Sequence, residues 1–265
     1  MSTYYLDNFG CRATQADGAA IERQLLERGC LPAPASAHAD VVVINTCTVT
    51  ASADSQARQA IRHFHAENPA ARIIVTGCYA QRAPEELAQI PGVTWVVGNS
   101  HEAEIPELVT RTFHPAPMAE LVRIQPAQPE STAHPELPLA RAPAKILTSD
   151  IFERADMLVA PAFPVEDDFS HGHSEFGAGR TRPVLKIQDG CNNRCSFCVI
   201  PFVRGRSRSL PPSQVVDEIR KLTAAGYKEV VLSGINLGSY GRDLAPRVAL
   251  LDVVRRTLEE TLLER

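Results

Sequence analysis

Along residues 1–113 the apolar positions switch repeatedly between strand-like runs and helix-like spacing. Thr3–Phe9 reads as a short strand, and Asp17–Arg28 as a helix with Ile21, Leu25 and Leu26 on its apolar face. Asp40–Asn45 is a continuous β-branched run, the pattern of a strand covered on both faces of a parallel sheet. Ser52–Glu67 has helical spacing and closes at Asn68-Pro69, and Arg72–Thr76 is a second buried strand. Thr94–Val97 reads as a fourth strand and His101–Thr112 as a closing helix. Strands alternating with helices require right-handed crossovers, so residues 1–113 are predicted to form an α/β domain with a doubly wound parallel sheet.

Periodicity then fades. Residues 114–179 hold most of a proline-rich run, nine prolines between Pro115 and Pro164, and read as a linker or insertion with one short helix around Ile151–Met157. His171 and His173 lack a third ligand nearby and read as solvent-exposed bystanders. Order returns over residues 180–265, with a strand at Val184–Gln188 and a cysteine-rich loop after it. A helix enters at Pro211-Pro212-Ser213, packs through Val215, Val216, Ile219 and Leu222, and stops at Gly226. Lys228–Leu232 reads as a strand, Ser233–Asp243 as a glycine-rich loop and Arg247–Leu263 as an amphipathic helix. This βαβα order reads as the beginning of a barrel or of another open sheet. Only 67 residues follow Cys198, whereas a complete barrel takes about 250 residues, so at most about two units are expected.

Composition narrows the classes. Hydrophobic residues make up 44% and charged residues 22%, the balance of a soluble globular chain. No run approaches the roughly 18–20 apolar residues of a membrane span, and the start, Met1-Ser2-Thr3-Tyr4-Tyr5, has no basic leader. A net charge of −4 excludes a uniformly basic nucleic-acid coat but permits a local basic patch. Seven cysteines, an odd number in a chain read as cytoplasmic, point to reduced ligands or reactive thiols rather than disulfides.

Three of them crowd one loop. Cys191-Asn192-Asn193-Arg194-Cys195-Ser196-Phe197-Cys198 has the spacing C-x3-C-x2-C directly after a strand. Three thiolates can hold three corners of an iron–sulfur cubane and leave one iron open. A closed zinc site would want a fourth ligand, and no Cys or His lies nearby downstream. The run from Gly190 to Pro201, continued by Val203-Arg204-Gly205-Arg206-Ser207-Arg208-Ser209, resembles the radical S-adenosylmethionine methylthiotransferases. The resemblance implies a [4Fe-4S] cluster on Cys191, Cys195 and Cys198, with S-adenosylmethionine capping the open iron and yielding a deoxyadenosyl radical. The fold expected is then the doubly wound domain followed by the first units of a radical-SAM β/α partial barrel.

Cys11, Cys47 and Cys78 have no motif spacing, but each lies just past the carboxyl end of a predicted parallel strand, where sites gather in open α/β sheets. Three such thiols would converge on one rim and could hold a second cluster. Thr46-Cys47-Thr48-Val49-Thr50 and Thr76-Gly77-Cys78-Tyr79-Ala80-Gln81 are similar to the same family's N-terminal domain, which carries an auxiliary [4Fe-4S] cluster. Cys30 has no counterpart and reads as a bystander. Ala39–Thr50, Pro91–Val93, Val96–Gly98 and Ala225–Leu232 look closest to the branch that acts on N6-threonylcarbamoyladenosine beside the tRNA anticodon. That branch implies tRNA as partner and a reducing electron donor such as a flavodoxin.

The loop Ser233–Gly241 has the spacing G-x3-G-x2-G, which is not a dinucleotide fingerprint. The resemblance suggests that Gly234, Asn236, Gly238 and Tyr240 line an S-adenosylmethionine pocket. Arg204, Arg206 and Arg208 form a small basic run that reads either as a solvated loop or as an RNA phosphate contact. Two rivals stay open: methylthiolation of another tRNA adenosine or a ribosomal protein, and a non-catalytic iron–sulfur or zinc-binding module.

Overall fold

The structure, a computed structural model, describes residues 2–111, 143–154, 157, 159 and 183–265. The N-terminal part runs β1 (Thr3–Asn8), α1 (Arg12–Glu27), β2 (Leu31–Pro32), β3 (Val41–Thr46), α2 (Ala51–Glu67), β4 (Arg72–Gly77), α3 (Cys78–Arg82), α4 (Pro84–Ala88), β5 (Val93–Gly98), α5 (Ile105–Arg111) and β6 (Lys145–Leu147). The strands form one all-parallel sheet in the order β2-β1-β3-β4-β5-β6. The two-residue period of a strand sorts the β3 run between two cores. Val42 and Ile44 pack with Ala57, Ile61 and Phe64 of α2, while Val41 and Val43 pack with Ile21 and Leu25 of α1 and Ile105 and Val109 of α5. Each of the fully buried Val, Ile and Leu side chains contributes about 1.5–3 kcal/mol, which fixes the register of a strand with no polar face. The sheet is doubly wound, as the β-branched runs predict.

The structure departs from the sequence expectation in three places near the sheet rim. Helix α1 begins at Arg12 rather than Asp17, with Cys11 as its N-cap. The helix expected from His101 is a 3-10 turn, Asn99–Glu104, running into α5. Part of the expected linker belongs to the sheet: Lys145–Leu147 pairs with Trp95–Val97, and Ile151–Glu153 is a single 3-10 turn rather than a helix reaching Met157. Lys145 also sits over the Trp95 ring, 4.9 Å from its centroid. Residues 114–142, 155, 156, 158 and 160–179, His171 and His173 among them, lie outside the described residues.

The C-terminal part runs β7 (Val184–Asp189), α6 (Ile200–Arg204), β8 (Arg208–Ser209), α7 (Pro212–Ala224), β9 (Val231–Gly234) and α8 (Leu250–Glu260). β7 and β9 are parallel with α7 as the crossover, and β8 adds an antiparallel edge. α7 buries the expected Val215, Val216, Ile219 and Leu222. β9 lies further along than Lys228–Leu232, because the Lys228 carbonyl and Val230 amide bond to residues 264–265 instead. α8 is shorter than Arg247–Leu263 because the backbone turns extended at Thr261. Among the described residues no helix is long and apolar enough to cross a membrane.

Candidate functional site

β1, β3 and β4 are neighbours in the sheet, so their carboxyl ends share one rim. Cys47 and Cys78 follow β3 and β4 directly, and Cys11 lies three residues past the end of β1, after Phe9-Gly10. Two glycines let the backbone close over this rim. Gly10 has φ +130, and a Cβ there would lie 2.4 Å from the Cys47 Cβ and 3.1 Å from its sulfur. Gly77 has φ +95, and a Cβ there would lie 2.3 Å from the Thr46 carbonyl oxygen. Cys47 and Cys78 are buried and Cys11 is exposed. Burial pushes the Cys11 thiol up, but the Thr14 amide, the Arg204 charge and the Thr14 hydroxyl outweigh it and leave its pKa below the ordinary value. Burial drives the Cys78 thiol up to about 11, although Arg204 and the Asn99 amide, 3.5 Å from its sulfur, pull it down. Cys30, whose thiol burial also pushes up, lies in the α1 core away from this rim.

All seven thiols are free. No three His, Cys, Asp or Glu side chains among the described residues stand close enough to hold one metal ion. Thiolates around a single zinc, at about 2.3 Å from the metal, would have to be that close. A cubane differs in taking one thiolate per iron.

The second set of thiols follows β7. Gly190, at φ +68, passes so close to the Arg206 carbonyl that a Cβ would sit 2.0 Å from it, and the Cys191 amide donates to Gly205 O at 3.1 Å. From there the loop arches outward: Cys191 and Cys198 are half-buried, Cys195 is exposed and Phe197 is 92% exposed. Gln188 holds this loop to the glycine-rich one. Its Nε2 donates to Gly190 O and Ser207 Oγ, and its Oε1 accepts from the Asn236 amide at 2.7 Å. Sequence reading missed Gln188, whose only signal is its place at the end of a strand leading into cysteines. Asn236 is half-buried and Gly238 exposed beside that loop, and Gly234 closes β9 against Gln188. Tyr240 is different. It is buried, and its hydroxyl donates to Leu210 O, so the structure corrects its expected pocket role to a core one.

The basic run is corrected too. Arg206 is exposed, but Arg204 is 2% exposed and Arg208 is also buried. Arg204 donates to Asp17 Oδ2 at 2.8 Å and to Asp189 Oδ1 at 3.0 Å, and Lys186 bonds to Asp17 and, at 3.3 Å, to Asp189. Arg208 lies 3.6 Å from Asp189. A guanidinium drawn into a buried carboxylate pair cannot also face an RNA phosphate. Against burial, the Lys186, Arg204 and Arg208 charges hold the Asp189 carboxyl far below the usual range. These ion pairs tie α1 to β7 and α6, and so tie the two thiol-bearing parts of the chain together.

Glu102 lies at the edge of this network, 3.3 Å from Arg154. Burial, then the Asp17 charge, push its carboxyl up to about 7 against the pull of Arg154. Unfolded, it titrates at about 4.3. Between those values the folded chain binds the extra proton, so the stability this group contributes is present at low pH and falls as pH rises from about 4 to 7. Melting temperatures across that range should show the decline, and Glu102→Gln should flatten it. A variant with an unchanged pH slope would count against this assignment.

Comparison with known proteins adds to this geometry. Residues 3–98 match the Uncharacterized protein family UPF0004, and residues 185–256 match the Radical SAM superfamily. The chain is 36% identical over 244 residues to threonylcarbamoyladenosine tRNA methylthiotransferase MtaB of Bacillus subtilis, covering 92% of this chain and 46% of that protein. To the protein of the same name from Aquifex aeolicus it is 34% identical, covering 89% and 48%. To tRNA-2-methylthio-N(6)-dimethylallyladenosine synthase of Clostridium tetani it is 27% identical, covering 99% and 51%. The chain thus spans about half the length of the curated relatives it matches. Among solved structures, the radical S-adenosylmethionine methyltransferase TsrM from Kitasatospora setae shares the fold, with a TM-score of 0.56 at 17% identity over 97% of this chain and 51% of that one.

Proposed function

We propose that the chain is a radical S-adenosylmethionine methylthiotransferase and that it serves in methylthiolation of carbon 2 of N6-threonylcarbamoyladenosine next to the tRNA anticodon, a reading supported by the matches to the UPF0004 and Radical SAM families and by the likeness to MtaB. The observation that carries this reading is the pair of thiol sets, each at the carboxyl end of parallel strands, joined through one buried ionic network. In this reading residues 1–113 form the auxiliary-cluster domain, 114–179 a connecting segment that lends β6 to the sheet, and 180–265 the first part of a radical-SAM core. When bound, the two [4Fe-4S] clusters and S-adenosylmethionine supply the radical, the sulfur and the methyl group.

The chain's own residues do the rest. Cys191, Cys195 and Cys198 hold one cluster on the open loop, and Cys11, Cys47 and Cys78 hold the other on the sheet rim. The lowered pKa of Cys11 favours its thiolate, the form that ligates iron. Gln188 joins the first loop to Asn236, and Asn236, Gly234 and Gly238 would line the S-adenosylmethionine site. Arg206, the exposed member of the basic run, is left as the RNA contact. A tRNA substrate and a flavodoxin-like electron donor place the protein in the cytoplasm.

Nucleoside mass spectrometry of tRNA from cells with and without the gene tests the reading. The 2-methylthio mark on N6-threonylcarbamoyladenosine should vanish on deletion and return on complementation. A second reading follows from the likeness to the dimethylallyladenosine synthase: the mark lost would then be on dimethylallyladenosine. Intact tRNA marks together with a lost mark on a ribosomal protein would overturn both.

A further inference from the structure

Arg204 stands between the two thiol sets and engages both. One end of its fork holds Asp17, on the helix that Cys11 begins, and the other holds Asp189, two residues before Cys191. The adjoining Val203 carbonyl accepts from Asn99 Nδ2 at 2.6 Å, and that same amide reaches the Cys78 sulfur. The Arg204 charge acts on the thiols of both Cys11 and Cys78. Its Nε–H is buried and meets no acceptor among the described residues. An unmade bond at a buried charged donor is costly, so such a group is expected to have a partner when the site is complete. Arg208 makes a natural contrast. It shares Asp189, its Nη groups donate to the Arg204 and Arg206 carbonyls, and its Nε–H is likewise without an acceptor among the described residues, but the charges acting on it are carboxylates and arginines rather than thiols.

We infer that Arg204 is a positioning residue that locks the Cys191 loop to the Cys11/Cys47/Cys78 rim and directs its positive charge and its Nε–H at the sulfur-rich group which that rim holds. This rests on the reading of the rim as a cluster site given under Proposed function. A fixed positive charge in a dry site, and a hydrogen bond to sulfur, both favour the state carrying the extra electron. Removing them should make the cluster harder to reduce.

The test uses the whole chain with Cys191, Cys195 and Cys198 replaced by Ala, reconstituted anaerobically with iron and sulfide so that one cluster is titrated. Arg204→Gln should lower the ratio of reduced to oxidised cluster at a fixed potential about tenfold, equivalent to about 59 mV for a one-electron couple. Arg208→Gln removes the same charge from the same network and should leave the ratio within about twofold of the parent. Should Arg204→Gln fail to fold, Arg204→Lys keeps the charge and loses Nε–H, so the exchangeable-proton coupling on the reduced cluster's paramagnetic signal should disappear. A parent chain that takes up no iron overturns the cluster reading and this inference with it. A parent with a cluster whose ratio shifts equally in Arg204→Gln and Arg208→Gln, or whose proton coupling survives Arg204→Lys, overturns the inference alone.

Discussion

Asp17→Ala is expected to destabilise the chain by about 3–5 kcal/mol, the cost of stranding buried charges when one partner of an ion pair is removed. Asp17 is buried on α1 and receives both Lys186 and Arg204, which are 0% and 2% exposed at their side chains. With Asp17 gone, Asp189 alone would face three cations, Lys186, Arg204 and Arg208. The damage should fall on the junction between α1 and β7, so the loss should appear as a lower denaturant midpoint and early hydrogen exchange in β7. Removing the second partner as well should repair much of it: Asp17→Ala with Lys186→Met exchanges one ion pair for apolar volume, a change that is commonly neutral or favourable. A loss below about 1 kcal/mol for the single variant would mean that the network is hydrated and does not hold the two parts together.

The second large effect concerns metal content. Anaerobic reconstitution with iron and sulfide should load roughly eight irons and eight sulfides per chain, two cubanes, with a broad visible absorption near the blue end. Replacing Cys191, Cys195 and Cys198 by Ala should remove half of both. Replacing Cys11, Cys47 and Cys78 should remove the other half, whereas Cys30→Ala should change nothing, because Cys30 lies in the α1 core. The two halves should also differ in behaviour. The open loop, with Cys195 exposed, should lose iron to chelators faster than the rim, where Cys47 and Cys78 are buried. Zinc in place of iron, or a single cluster that survives loss of either set, would be fatal to the two-cluster assignment.

Much of this was legible in the chain, and the rest was not, for definable reasons. The β-branched run of Val41–Thr46 announces a strand buried on both faces because a strand's period of two has no polar phase to hide. The loop Cys191–Cys198 announces itself because all three thiols fall within eight consecutive residues. Strand ends could even be used to pick out Cys11, Cys47 and Cys78. The expectation that they share one rim agrees with the adjacency of β1, β3 and β4, which is a property of sheet order and not of any one segment.

The clearest failures share one cause. Arg204 looks like part of a solvated basic loop because one of its partners is remote; the Arg204–Asp17 bond spans 187 residues and the Lys186–Asp17 bond 169. Tyr240 looks like a ligand contact until its hydroxyl is seen to satisfy Leu210 O across 30 residues. β6 hid in a proline-rich stretch because three residues carry no period, and only pairing with β5 makes them a strand. Sequence alone marked most of the strands and helices and which thiols to expect as ligands, because those readings rest on local period, spacing and place at strand ends. Tertiary structure alone decided which charges are buried and what they hold together, because the free energy of a buried charge is set by whatever partner the fold brings to it.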